Sequence, residues 1–394
     1  MAYVKQQNPK LNVQVDQNGF DQQKFATAMA SNSAPAGVSM DRQLLATYAA
    51  KGFLTPLDDC ISADAIDMSQ YYPAAVKEST WGGHVYGIPE FYTIRAVMIN
   101  NRVLSAAGLT AADIDTSNWD KISSDAKKMY KASGSKPTTI GFDPKLPEFL
   151  PLWAMANGGS IVDDQGKPTL NDPKVVEALK YGVSLVNEQG GWANFKSFRD
   201  TWDFFGAGNE FAKGKDQIGA MPYEQWYVNV LAGFGSSIDL STVPFKGRDG
   251  KPLTFETGSA FAIPKNSPNA GGMCAFMKLA TAMGAWQAAG AARQAKVTKN
   301  KTAFTGLFSA NKAANDKLQT QYVKPTGNTK LDAVINVYFN ALSSARMIPP
   351  SPAGQDIQSA YNQAVTDALG GKDPQAALDA AQQTAMNAYH DATG

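Results

Sequence analysis

Three segments of the sequence place aromatic side chains next to planar polar ones, a combination suited to binding ring-shaped polar ligands. They are Glu90-Phe91-Tyr92 followed by Arg95, Glu148-Phe149 followed by Trp153, and Tyr223-Glu224-Gln225-Trp226. A sugar ring has apolar C–H faces that stack on aromatic rings, and a rim of hydroxyls that hydrogen-bond carboxylate, amide or guanidinium groups. The segments therefore predict a cleft for a carbohydrate.

Each of these segments also has a purely structural interpretation, because a Tyr or Trp that follows a strand more often packs in a core or between lobes. All three, however, lie just past candidate strands, at the position where the sheets of α/β proteins open the crevice that holds ligands. This shared position favours the binding interpretation.

Catalytic and metal-binding motifs are missing from the sequence. It has no phosphate-binding GxxxxGK[ST] loop, no GxSxG turn and no HExxH pair. Its two histidines, His84 and His390, are far apart and are expected on the surface. We predict no metal and no cofactor. Carboxylates are numerous, so a carbohydrate-active hydrolase with a facing Asp/Glu pair remains an alternative.

Length and charge narrow the function further. A chain of 394 residues with 44% hydrophobic and 18% charged residues is long enough for two lobes, each with its own core. The net charge is +1, from 36 basic and 35 acidic residues, which gives no field of one sign to hold nucleic acid or an anionic membrane. A neutral ligand fits this balance better than a polyanion.

Candidate strands and helices alternate along the chain, which predicts an α/β fold. Strands are predicted at residues 11–15, 96–99, 217–221 and 260–263. Asp172-Pro173 and Asp373-Pro374 each predict a helix start, with Asp as N-cap and Pro in the first turn. An apolar stripe over residues 331–342 predicts a further helix that faces the core.

The beginning of the chain is unusual, since residues 2–5 already read as a helix. No signal peptide and no transmembrane stretch is recognisable. We expect that a complete gene continues upstream into a strand, a signal peptide and a lipid-anchoring cysteine.

Seven short motifs follow one another along nearly the whole chain. They read GFLTPLDD at 52–59, GGHVYGIP at 82–89, VMIN at 97–100, NWD at 118–120, GG…D…GKP within 158–168, AIPKNS at 262–267 and LGGK at 369–372. Together they resemble the extracellular solute-binding proteins of sugar ABC importers, the maltose-binding-protein group among them.

This resemblance implies a two-lobed periplasmic-binding-protein fold, with three crossovers and a ligand cleft between the lobes. The crossovers are expected near residues 91–95, 256–259 and 305–311. One lobe is then 1–92 plus 258–305, without its first strand, and the other is 93–257 plus 306–394. The implied function is to bind an extracellular sugar or oligosaccharide and deliver it to a membrane permease by hinge closure. The implied protein is an extracytoplasmic monomer and not an enzyme.

The resemblance also implies binding residues. The acidic residue after an early strand matches Asp41-Arg42, and the other positions fall in the three aromatic segments. The predicted ligand-binding residues are Asp41, Arg42, Glu90, Tyr92, Arg95, Glu148, Trp153, Tyr223, Glu224 and Trp226. Asp41 could instead cap the following helix, and Arg95 could instead form a salt bridge between lobes. Trp226 falls about two residues beyond the usual position of the stacking tryptophan.

Two further questions stay open. The resemblance places Cys60 and Cys274 in the same lobe, where a disulfide is one alternative. Two unpaired thiols are the expected state, because the apolar run around Cys274 suits a buried thiol. A non-sugar ligand such as a polyamine is a second alternative for the cleft, although Arg42 and Arg95 argue against a cationic ligand.

Overall fold

The computed structural model describes residues 1–16 and 18–394. The helices are α1 Ala2–Gln7, α2 Gln22–Ala30, α3 Arg42–Ala50, α4 Asp58–Ala63, α5 Pro73–Glu78, α6 Asn101–Ala106, α7 Trp119–Met129, α8 Leu146–Ala156, α9 Pro173–Asn187, α10 Gly191–Arg199, α11 Trp226–Ala232, α12 Ala270–Thr281, α13 Met283–Asn300, α14 Lys312–Tyr322, α15 Thr329–Ala341, α16 Gly354–Leu369 and α17 Pro374–Thr393. The strands are β1 Val38–Asp41, β2 Thr80–Trp81, β3 His84–Val85, β4 Ile88–Pro89, β5 Arg95–Asn100, β6 Lys131–Ser133, β7 Lys136–Phe142, β8 Ile218–Glu224, β9 Leu240–Val243, β10 Thr254–Phe255, β11 Ser259–Ala262 and β12 Ala345–Arg346.

Two main sheets organise these elements. The larger has the order β6-β7-β8-β5-β9, and the smaller has the order β1-β11-β4. Every residue of β5 is buried, as expected for a central strand that is covered on both faces. Strand β5 pairs antiparallel with β8 and β9, while β7 and β8 are parallel. The smaller sheet is antiparallel throughout.

The chain passes between the two sheets through segments that lie side by side. The first crossover links β4 to β5, and its Thr93 exchanges two backbone hydrogen bonds with Thr257 of the second, at 2.7 and 3.0 Å. A third segment joins them, because Tyr92 N donates to Phe308 O at 3.1 Å. These segments lie where the crossovers were predicted, near 91–95, 256–259 and 305–311. The residue bounds of the two lobes remain a prediction.

Most of the predicted elements are confirmed. The strand predictions at 96–99, 217–221 and 260–263 lie within or overlap β5, β8 and β11. Asp172 accepts a hydrogen bond from Lys174 N at 2.7 Å, and Asp373 accepts one from Ala376 N at 2.9 Å, so both caps are made. The opening helix is present as α1.

The predicted strand at residues 11–15 is wrong, since this segment has no regular secondary structure. Its alternation has a different cause. Leu11 and Val13 are half-buried against the core, whereas Val15 is exposed. Alternating apolar residues give an extended chain one apolar side. Here that side packs against the hydrophobic core, and the segment is not part of a sheet.

The expectation of two unpaired thiols is also wrong. Cys60 in α4 and Cys274 in α12 form a disulfide, with their Cα atoms 5.9 Å apart and 214 residues between them in sequence. Helix packing brings the two positions together, and the apolar surroundings that suggested a buried thiol at Cys274 suit a disulfide equally well. Asp64 lies close to both sulfur atoms, but the disulfide leaves no thiolate for a metal ion.

Candidate functional site

A cleft of about 700 Å³ lies where the crossovers meet. The crossover segments form much of its wall, through Phe91, Thr93 and Arg95 of the first, Phe255 and Thr257–Ser259 of the second, and Thr305–Phe308 of the third. The remaining wall comes from elements beside both sheets, namely Asp41, Gln43, Glu148, Phe205, Glu224–Trp226, Asn229, Val230, Arg293, Gln358 and Tyr361. A volume of this size is typical of small-molecule sites.

Exposed aromatic rings are concentrated in this cleft. In the part of the chain that the structure describes, only six large hydrophobic residues are exposed, and three of them line the cleft: Phe91, Phe205 and Trp226. Their exposed fractions are 45%, 71% and 39%. Apolar rings that face solvent within a concave site gain free energy when a ligand covers them. The cleft is therefore suited to a ligand with apolar faces.

Trp226 is held firmly in its position at the start of α11. Its Nε1 donates a hydrogen bond to the carboxylate of Glu224, the last residue of β8. The rings of Tyr223 and Tyr227 pack against it edge-on, with centroids 5.8 and 5.7 Å away. Trp226 thus presents a fixed, partly open ring to the cleft.

Arg95 begins β5 and is held on several sides. Its Nη2 donates to Glu224, and its Nη1 donates to the Phe255 carbonyl at 2.9 Å. The guanidinium lies between the rings of Phe149 and Phe255, 5.2 and 4.8 Å from their centroids. Because Glu224 belongs to the strand paired with β5, the ion pair joins neighbouring strands of one sheet. The alternative of a salt bridge across the lobes is wrong.

Asp41 and Arg293 are the charged residues of the cleft wall that form no ion pair within the described chain. Asp41 occupies the N-cap position of α3, but its side chain accepts no capping hydrogen bond. Burial raises the pKa of its carboxyl, Arg42 opposes that rise, and Glu224 adds to it. Burial lowers the pKa of Arg293. Both side chains are available to a ligand.

Glu148 lines the mouth of the cleft and is exposed. Its carboxylate accepts from the Arg199 guanidinium and lies 3.1 Å from Lys145 Nζ. Burial acts to lower the pKa of Arg199, but the negative charges of Asp143 and Glu148 outweigh it, so that the pKa is raised. These contacts orient the carboxylate of Glu148.

Arg42 does not reach the cleft surface, contrary to its predicted role in ligand binding. It is completely buried, and it forms ion pairs with Glu78, at 2.7 Å, and with Glu256. Its Nη1 also donates to the carbonyls of Phe91, at 2.6 Å, and Ser259, at 3.2 Å. Arg42 therefore ties the first crossover to the second. Asp41 and Arg42 face opposite ways because consecutive residues at the end of a strand do so.

The two carboxylates that flank Arg42 are perturbed. Burial raises the pKa of Glu78 well above its usual value, and the charge of Glu256 adds to this rise. Burial likewise raises the pKa of Glu256, although Arg42 opposes the change. One oxygen of each carboxyl is buried without a hydrogen-bond partner among the described atoms. We refer to Arg42, Glu78 and Glu256 as the hinge cluster.

Four further predicted residues lie behind the cleft wall, and two of them, Glu90 and Tyr92, belong to the first crossover, which links β4 to β5. Glu90 accepts hydrogen bonds from Ser39 at 3.1 Å and from Ser259 at 3.0 Å, and burial raises its pKa. Tyr92 is buried and stacks on Tyr72, with centroids 4.5 Å apart. Their side chains support the crossovers because alternate residues of this extended segment face away from the cleft.

Trp153 belongs to the hydrophobic core and not to the cleft. It is completely buried in α8, and its Nε1 donates to the Pro144 carbonyl at 2.8 Å. Tyr223 is half-buried and packs against Tyr227 and under Lys145, whose Nζ lies 5.1 Å from its ring. Both residues were predicted to bind the ligand, but neither lines the cleft, and their rings pack inside the protein.

Several cleft residues were missed by the sequence reasoning. They are Gln43, Phe91, Thr93, Phe205, Gln225, Asn229, Arg293 and Gln358, among others. Strand alternation would have placed Phe91 and Thr93 on the same side as Arg95. Phe205 stands in a glycine-flanked loop, a setting that exposes aromatic rings. No local signal marks Arg293, because α13 reaches the cleft only through the fold.

The fold is similar to solved structures of sugar-binding proteins. CpMnBP1, solved with mannotriose bound, superposes with a TM-score of 0.76 at 22% identity, over 97% of this chain and 93% of that one. An ABC transporter solute-binding protein from Thermotoga lettingae TMO, solved with α-D-tagatose, has a TM-score of 0.71 at 19% identity, over 93% of this chain and 88% of that one. These likenesses establish the two-lobed fold.

Sequence comparison leads to the same family. A probable ABC transporter-binding protein of Deinococcus radiodurans strain R1 is 30% identical over 133 residues, which are 32% of this chain and 31% of that protein. This chain thus matches less than a third of that relative's length. The family model for bacterial extracellular solute-binding proteins matches residues 1–285, well over half of the chain. The chain belongs to this family of extracytoplasmic proteins, which bind solutes and are not enzymes.

Proposed function

We propose that the protein binds an extracellular sugar or oligosaccharide in the cleft and delivers it to the permease of an ABC importer. The observation that carries this proposal is the cleft of about 700 Å³, in which three exposed aromatic rings accompany carboxylate, amide and guanidinium groups. Stacking surfaces beside planar hydrogen-bonding groups match the two chemical sides of a sugar ring. The ligands of CpMnBP1 and the Thermotoga protein support the same class of ligand.

Each group in the cleft has a distinct role in the proposal. Trp226 stacks on a sugar ring, because its ring is both open to the cleft and fixed by its neighbours. Asp41, the unpaired carboxylate, accepts hydrogen bonds from sugar hydroxyls. Arg95 and Glu224 offer a preorganised pair of charged groups, so that little side-chain entropy is lost on binding. Glu148 contributes at the mouth of the cleft.

Delivery depends on closure about the crossovers. We assign residues 1–92 plus 258–305 to one lobe and 93–257 plus 306–394 to the other, with the hinge cluster between them. A ligand that contacts both lobes favours the closed state, because it gains contacts there that the open state lacks. The permease recognises the closed form. We further propose that the protein acts as a monomer, anchored outside the cytoplasm as a lipoprotein. None of the helices described is long and apolar enough to cross a membrane.

Calorimetric titration with a panel of mono- and oligosaccharides tests this function. At least one sugar is expected to bind, and analysis of the sugar after incubation should recover it unchanged. Binding that proceeds with hydrolysis would contradict the proposal and favour the hydrolase. A polyamine that binds while every sugar fails would also contradict it.

Two variants test the placement of the site. Trp226→Ala is expected to weaken sugar binding by about 2–4 kcal/mol, or roughly 30- to 1000-fold. Asp41→Asn keeps the shape but removes a charged acceptor, and should cost about 1.5–3 kcal/mol of affinity. Trp192→Ala is the matched control, since Trp192 is half-buried in α10 and does not line the cleft. Unchanged affinity in both folded cleft variants would show that the sugar binds elsewhere.

A further inference from the structure

Phe205 is the most exposed large hydrophobic residue in the described part of the chain, and it lies in the wall of the cleft. Its side chain is 71% exposed, while the ring of its neighbour Phe204 packs against Tyr223 and Tyr227. Consecutive aromatic residues thus face opposite ways, one towards the interior and one towards the ligand space. The Phe205 ring thus lies outside the hydrophobic core, and its aromatic neighbour is another residue of the cleft wall, Trp226.

The loop that carries Phe205 is compact and built around one carboxylate. Asp203 accepts backbone hydrogen bonds from Gly206, at 2.9 Å, and from Gly208, at 3.2 Å. A Cβ atom at position 206 would lie 2.0 Å from Asp203 Oδ2, so a larger residue there would displace this carboxylate. Asn209 closes the base of the loop by donating to the Phe204 carbonyl at 2.9 Å. These bonds raise Phe205 into the cleft and hold it there.

Phe205 lies parallel to Trp226. The two ring planes differ by only 13°, and their centroids are 6.2 Å apart, a separation typical of offset rings. Offset parallel rings present a wider apolar surface than either ring alone. We call Phe205 and Trp226 the aromatic platform. Phe91, the third exposed ring of the cleft, instead packs edge-on against Trp286 and does not extend this surface.

Resting on the proposed function, we propose that the aromatic platform seats two consecutive sugar rings, so that the physiological ligand is a disaccharide or longer. Trp226 holds one ring and Phe205 the next. A monosaccharide covers only one plate and leaves the other ring of the platform exposed to water. An oligosaccharide covers both, and its affinity therefore includes the burial of Phe205.

The test compares mannose, mannobiose and mannotriose on the wild type and on Phe205→Ala by calorimetric titration. The wild type should bind the oligosaccharides at least about 10-fold more tightly than mannose, because burial of a Phe side chain strengthens binding by roughly 10- to 100-fold. In Phe205→Ala the oligosaccharides should lose about that factor, while the affinity for mannose changes by less than about 2-fold. If the protein selects another sugar, its monomer and dimer take the place of these probes.

Two controls separate stacking from folding and from simple apolar contact. Phe205→Tyr keeps the ring and should retain the preference for oligosaccharides, whereas Phe205→Leu should lose most of it. Melting temperatures should stay close to that of the wild type, since the side chain is exposed. Equal losses for mannose and mannobiose, or no loss for either, would overturn the inference and leave sugar binding intact. Failure of every sugar to bind the wild type would instead overturn the proposed function, and the inference with it.

Discussion

Replacement of Arg42 by methionine is expected to destabilise the protein strongly, since among the described residues Arg42 is the only cation that pairs with the buried carboxylates of Glu78 and Glu256. Glu78 and Glu256 are each no more than 1% exposed, and both pair with this guanidinium. Methionine has a similar length but leaves both carboxyls without their partner. The carbonyls of Phe91 and Ser259 lose their hydrogen bonds as well.

The expected loss follows from the burial of this cluster. Removing one partner of a buried ion pair costs about 3–5 kcal/mol, because the remaining charge stays in a medium that solvates it poorly. Glu256→Gln provides the matched control. Two carboxyls share one guanidinium, so this neutral replacement leaves Arg42 and Glu78 as a balanced pair. We expect it to cost no more than about 1 kcal/mol.

The loss in Arg42→Met should also depend on pH. Burial raises the pKa of Glu78 and Glu256 in the folded protein, and removal of Arg42 takes away the charge that opposes this rise. A carboxyl with a raised folded pKa binds a proton on folding, so its contribution is complete below the unfolded pKa of about 4.3 and is lost as pH rises through the folded value. Each additional proton held by the folded state changes the free energy of unfolding by about 1.4 kcal/mol per pH unit.

Urea unfolding of wild type, Arg42→Met and Glu256→Gln, at a pH of about 7.5 and of about 5, measures these effects. Arg42→Met should lose most stability at the higher pH and recover part of it at the lower. A loss below about 1 kcal/mol, or one that is the same at both pH values, would refute the reasoning that buried charge dominates this cluster.

Three other perturbations have defined outcomes. Trp153→Ala should cost about 3–5 kcal/mol of stability by leaving a cavity in the core, while titration of the folded fraction shows unchanged sugar affinity. Reduction of the Cys60–Cys274 disulfide should lower the free energy of unfolding by about 2–5 kcal/mol, and thiol titration of the denatured, unreduced protein should detect no free thiol. Gly258→Ala places a methyl group against the Phe91 carbonyl and 2.6 Å from the Arg42 guanidinium, so its melting temperature should fall even though the substitution is small.

Local elements were predictable because their signals are local. The caps at Asp172 and Asp373 depend on residues within one helical turn, and the buried strands are short apolar runs. The disulfide was not predictable in this way. It depends on how α4 packs on α12 across 214 residues of intervening sequence, and neither cysteine has a local feature that reveals its partner.

The candidate site also combines features that the local sequence predicts with features that depend on tertiary packing. The segments around Arg95 and Trp226 were correctly expected to lie together in one cleft. Within a segment, however, the side that faces the cleft depends on tertiary packing. The sequence predicted Tyr92 as a ligand-binding residue, but Tyr92 is buried and its neighbour Phe91 is exposed in the cleft. Trp153 could have been recognised as core, because residues 149–156 of α8 are apolar on all sides, which is typical of a buried helix.

The adjacent residues Asp41 and Arg42 lie on opposite sides of the cleft wall, the first open to the cleft and the second in contact with the crossovers. Asp41 faces the cleft, while Arg42 holds the first and second crossovers through three contacts behind it, to Phe91, Glu256 and Ser259. Asp41 is the N-cap of α3 and Arg42 is its first residue. The backbone N–H of Arg42 donates a hydrogen bond to the Gly258 carbonyl at 2.9 Å. If a ligand binds Asp41 as proposed, we expect it to act directly on the crossovers through this backbone contact. We expect the proposed hinge rotation to occur around this cluster, because its ion pairs are buried and their exchange for contacts with water would cost free energy. In the closure that we propose, this cluster is expected to be the pivot, and the open aromatic rings of the cleft are the surfaces expected to close on the ligand.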